Sequence, residues 1–250
     1  PLLAALAPLL WGVFRSTWRE LDEEALRRRI ARAATGTVDP RPFVALVLGV
    51  FVLALQEYFG ARGFYAAGPG RFLAERARLD PAGLASLARW NDLYAHLWWG
   101  ATRVGGYLFP IAVWPLLFRG DRRRDLGLRL GGLRRHLWIY ALCVAVMVPL
   151  LLLVRRQPDF GAYYPIYRGA GRSWLDFLSW EAVYLAQFFA LEAFFRGWWL
   201  GATRDLGAAS IFAMVVPYTM IHFGKPWLEV SGAIVAGVVL GSLAVRTRSV

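Results

Sequence analysis

Long apolar runs punctuate this chain: Phe43 to Phe59, Leu93 to Phe118, Leu137 to Val154, Leu175 to Leu200, Ala208 to Phe223 and Val230 to Val245. An α-helix needs about 20 residues to cross a bilayer, and backbone in hydrocarbon must satisfy its own hydrogen bonds. Runs of this kind predict an all-α, polytopic transmembrane helical bundle. A hydrophobic content of 58% with twelve Trp agrees. The net charge of +12 would suggest nucleic acid in a soluble protein. Here the arginines fall in the connections between apolar runs, where positive-inside topology and anionic lipid headgroups explain them without a nucleic-acid partner. The single cysteine, Cys143, lies within an apolar run, so neither a disulfide framework nor a Cys-based metal site is expected.

Residues 1–42 divide from the bundle, 43–250, as an amino-terminal apolar and amphipathic segment. Pro1 to Phe14 is short for a span, and Arg15 to Arg41 mixes both charges at helical spacing, which predicts a surface amphipathic helix. The first residue is Pro, so the amino end is expected to be incomplete or processed. Asp92 and His96 are expected at the interface and Arg103 facing inward or paired with a carboxylate of another helix. The basic loop Arg119 to Arg135 reads as cytoplasmic, and Tyr163 to Tyr167 as part of a headgroup belt. Gly237 and Gly241 form a Gly-x-x-x-Gly close-packing face. Alternating the spans and counting basic residues puts both ends on the cytoplasmic side.

The run from Trp180 to Trp199 carries Glu181, Glu192 and Arg196. Ionisable groups in hydrocarbon cost a few kcal/mol each, so they mark function by default. Glu192 and Arg196, four apart, share a helix face and can pair. Glu181 lies about three turns from Glu192, roughly 16 Å along the axis, too far for one acid/base couple. The next run ends in Tyr218-Thr-Met-Ile-His222, at a depth about 7 Å from that of Glu192. Against a catalytic reading stand a structural ion pair and an ordinary interfacial histidine, and both stay open here.

At these residues the sequence resembles the CPBP family, the CAAX-protease and bacteriocin-processing intramembrane glutamic endopeptidases. Leu191-Glu192-Ala-Phe-Phe-Arg196-Gly197 is similar to the family motif Glu-Glu-x-x-x-Arg, and Tyr218-Thr-Met-Ile-His222 to Phe-x-x-x-His. The resemblance covers about Trp174 to Val250 and implies a protease core over 174–250. Two departures stand out. Leu191 occupies the place of the first glutamate, the one credited with activating water, and Glu192 aligns with the second. No histidine follows His222, so the third motif, His-x-x-x-Asn or Asp, is expected beyond Val250.

The resemblance implies hydrolysis of a peptide bond in a membrane-associated, lipidated or leader or sorting-tail peptide, in a bacterial cytoplasmic membrane. Glu192 would be the general base and His222 would polarise water or the oxyanion, with Arg196 in the site and Glu181 and Tyr218 supporting. No cofactor and no metal are expected, since one histidine is too few for a zinc site of that kind. The expected partners are a peptide or protein substrate and membrane lipid; oligomeric state is unreadable. The alternative is a catalytically inactive relative that binds a partner in the membrane. A transporter is weaker, because the sequence has no internal repeat.

Overall fold

The computed structural model describes residues 2–121 and 133–247, and no strand occurs among the described residues. The elements in chain order are α1 (Leu2–Ala33), α2 (Arg41–Phe59), α3 (Arg62–Ala67), α4 (Pro69–Arg78), α5 (Pro81–Leu117), α6 (Leu133–Val154), α7 (Pro158–Tyr163), α8 (Trp174–Glu192), a π-helical segment (Ala193–Trp199), α9 (Leu200–Ala202), α10 (Ala209–Met220) and α11 (Trp227–Thr247). The fold is all-α, as the apolar runs predict. Helices α2 and α11 are long and apolar enough to cross a membrane. Helix α10 is shorter than expected, 12 residues, because the chain turns at Ile221. Most of the basic connection Arg119 to Arg135 lies outside the described residues.

The chain forms two compact units. One comprises Pro1–Leu48, Trp114–Tyr163 and Ala193–Val250; the other comprises Gly49–Val113 and Tyr164–Glu192.

In the first unit α1 is not a free surface helix. Its inward residues Phe14, Thr17, Trp18 and Ala25 are buried. Trp18 meets Phe212 edge-on, with ring centroids 5.5 Å apart, and its Nε1–H donates to Ser242 Oγ at 3.0 Å. One turn further on, Asp22 Oδ1 accepts from the Ala208 N–H at 2.8 Å. Arg28 Nε donates to Asp205 Oδ1 at 2.7 Å, Arg28 Nη2 donates to the Arg204 carbonyl at 2.8 Å, and Arg32 also pairs with Asp205. The alternation continues through Arg32–Asp39 (3.0 Å), Asp39–Arg41 (2.9 Å) and Arg41–Asp121 (2.9 Å), where Trp114 Nε1–H also donates to Asp121 Oδ2 at 2.9 Å. Three of the charged residues in 15–41, Asp22, Arg28 and Arg32, are thus partners for the turn between α9 and α10. Burial pushes the Asp121 carboxyl up, but hydrogen bonds from Arg41 and Trp114 outweigh it and hold the group below the usual carboxylate range.

In the second unit α5 packs on α2 and α8. Arg103 Nη2 donates to Glu57 Oε2 at 2.9 Å, so it is paired with a carboxylate of another helix, as expected. Gln56 Nε2 donates to the Arg103 carbonyl at 3.2 Å. The His96 ring packs against Tyr167 (4.7 Å) and Trp180 (5.4 Å). Tyr167 is fully buried within the protein, and its hydroxyl donates to Asp176. Arg172 Nη2 and Ser173 Oγ donate to the same buried carboxylate, each at 2.6 Å. Burial, then the bond to Asp176, pushes the Tyr167 phenol up to about 12. A carboxylate accepting this many donors holds the start of α8 in place.

Candidate functional site

The helix carrying the first motif changes character at the motif itself. Glu192 is the last residue of α8, and Ala193–Trp199 continues as a π-helix, all of it buried. A π-turn closes i→i+5 hydrogen bonds and is wider than an α-turn; such segments are rare and concentrate at functional sites. Phe194 stacks on Trp198 at 5.1 Å and Phe195 on Trp199 at 6.0 Å, so two aromatic pairs run along the segment. A continuous α-helix from Leu175 to Leu200 was expected; beyond Glu192 the 3.6-residue period no longer assigns faces.

Arg196 projects from this segment with only 4% of its surface exposed. Its guanidinium carbon lies 4.0 Å from the centroid of the Tyr218 ring. A desolvated cation on an aromatic face is worth up to about 2 kcal/mol. Phe195 meets the same ring edge-on at 5.3 Å.

Tyr218 and His222 occupy the end of α10 and the turn that follows. Their rings are 4.9 Å apart, tilted by 59°. His222 Nδ1 lies 2.7 Å from the Tyr218 carbonyl oxygen. Gly224, at φ +84°, adopts the left-handed conformation that lets the chain reverse towards α11 just past the histidine. Lys225 Nζ and Glu229 Oε1 pair at 2.7 Å within this turn and the first turn of α11.

The rear of the site is the Gly-x-x-x-Gly face of α11. A Cβ on Gly237 would meet Val215 Cγ2 at 3.0 Å and Tyr218 Cδ1 at 3.2 Å, and one on Gly241 would meet Met214 Cε at 2.9 Å. The glycines therefore allow α11 to seat closely against α10, behind the Tyr218 ring.

Of the residues singled out from the sequence, the first unit brings Arg196, Tyr218 and His222 into one contact chain. Glu192 ends α8, immediately before the π-segment, and is half-buried; Glu181 is half-buried on α8, three turns earlier. Leu191, at the place of the family's first glutamate, is buried. No group of three His, Cys, Asp or Glu side chains that could hold a metal ion occurs among the described residues. Sequence reasoning missed the cation–aromatic contact between the motifs. The signal available was the aromatic side chain at the first position of the second motif.

No curated protein and no solved structure matches the chain. A family model does: Type II CAAX prenyl endopeptidase Rce1-like, over residues 173–250. The match agrees with the two helices long and apolar enough to cross a membrane in pointing to an integral membrane protein. The segment that carries Arg196, Tyr218 and His222 is thus similar to the Rce1-like type II CAAX prenyl endopeptidases, in agreement with the resemblance of its two motifs.

Proposed function

We propose that the protein is an intramembrane endopeptidase of a bacterial cytoplasmic membrane, hydrolysing a peptide bond in a membrane-associated, lipidated or leader-type peptide. The observation that carries this reading is the contact of Arg196, from the first motif, with Tyr218, from the second, inside a segment matching a peptidase family. In this reading Glu192 is the general base. A carboxylate within hydrogen-bond reach of a bound water can take its proton as the water attacks. His222 orients the attacking water or the oxyanion, and Arg196 supplies fixed positive charge. Glu181 and Tyr218 support the site without entering the chemistry.

The test uses full-length protein purified in detergent and three probes: a farnesylated peptide ending in Cys, two aliphatic residues and a variable residue, its unlipidated twin, and a hydrophobic leader peptide. Mass spectrometry should detect cleavage of at least one by the wild type and of none by Glu192→Gln. Folded wild type that cleaves none, or Glu192→Gln at the wild-type rate, refutes the reading.

The burial of Leu191 where the family carries its water-activating glutamate favours a second reading, an inactive membrane protein that binds such a peptide. Saturable binding of one probe without cleavage would select it.

A further inference from the structure

We infer that Tyr218 is a positioning residue that holds both motifs, Arg196 on the face of its ring and His222 against its ring and its carbonyl, and so fixes His222 as the Nδ1–H tautomer. A carbonyl oxygen only accepts hydrogen bonds, so the 2.7 Å contact requires the proton on Nδ1. A neutral imidazole carries one N–H, and the bond made by one nitrogen decides the state of the other. Nε2 of His222 is then left with its lone pair. The carbonyl alone would leave the imidazole free to swing, but the Tyr218 ring packs against it at 4.9 Å. The ring is itself immobilised, with Arg196 on it at 4.0 Å, Phe195 at its edge and Gly237 behind it.

The consequence is a choice between the two roles open to His222. With Nε2 unprotonated, the neutral side chain accepts a hydrogen bond from water and cannot donate one to an oxyanion, which would require the imidazolium. Only this consequence rests on the peptidase reading; the tautomer does not. The ring is the part that matters for Tyr218, and the hydroxyl is not.

The experiment is nitrogen NMR of full-length protein labelled with 15N-histidine, in detergent, at a pH where His222 is neutral. Its signals are assigned as those lost in His222→Gln. Wild type and Tyr218→Phe should each give a single Nδ1–H tautomer, and Tyr218→Leu a mixture in which the Nε2–H form appears. A purely structural role would lower the thermal midpoint of Tyr218→Leu while leaving one tautomer, and that result overturns the inference. So does an Nε2–H form in wild type, or loss of the single tautomer in Tyr218→Phe. Should Tyr218→Leu fail to fold, Tyr218→Met is read by the same criterion. Absence of peptide cleavage leaves these signals unchanged, so the two readings fail separately.

Discussion

Substituting Gly207→Ala should destabilise the protein by an amount that depends on Asp22, a residue far away in sequence. Gly207 has φ +64° and ψ −140°, a conformation that costs a residue with a side chain about 1–3 kcal/mol. Its added Cβ would also fall well inside van der Waals contact with Asp22 Oδ1, the acceptor of the Ala208 N–H. Displacing that carboxylate forfeits a hydrogen bond worth about 1 kcal/mol. The two add to about 2–4 kcal/mol, which for a chain of this length lowers the thermal midpoint by about 4–16 °C. Asp22→Ala alone should cost about 1 kcal/mol. The double substitution should then fall short of additivity by about that amount, because the same hydrogen bond is lost only once. Thermal unfolding of the four proteins in one detergent, followed by circular dichroism, measures the cycle. Strict additivity, or a Gly207→Ala midpoint within about 2 °C of wild type, would sink the argument that α1 docks on this turn.

Two further outcomes follow from the same packing and charge. Asp121 titrates below the usual carboxylate range in the folded protein, so the stability it contributes is present above about pH 4 and lost as pH falls through its depressed folded value. The thermal midpoint of wild type should therefore drop more steeply in that acid range than that of Asp121→Asn; parallel curves would contradict the assignment. On α11, Gly241→Ile forces atoms into Met214 and Ile211 and should cost about 1–3 kcal/mol. Gly232→Ala meets nothing within 4 Å and should be neutral or gain up to about 1 kcal/mol from helix propensity. Equal midpoints for the two variants would remove the close-packing role of that face.

The helices were legible because hydrocarbon leaves a chain few ways to satisfy its backbone, and apolar length is visible in sequence. Arg103 was legible for a related reason: a charge in an apolar run needs a partner, and Glu57 is one. Periodicity could not reveal the π-segment at Ala193–Trp199, since its assumption is the α-helical turn itself. Nor could it reveal the burial of Tyr167, which depends on Asp176, Arg172 and His96 converging from separate elements. The docking of α1 was hidden because Arg28 and Asp22 look like any solvated charge until Asp205 and Ala208 arrive from the far end of the chain.

The docking of α1 also sets an order of events during synthesis. Trp18 and Ser242 are 224 residues apart, and chains emerge at about 5–20 residues per second, so Trp18 leaves the ribosome roughly 11–45 s before its acceptor does. For that interval the indole face, Asp22 and Arg28 stand without the surface they finally cover. Helix α1 is thus completed by a helix made much later, and a nascent chain halted before α11 would present an unclosed apolar and charged face to whatever attends insertion. Quality control could read that face as the mark of an unfinished protein.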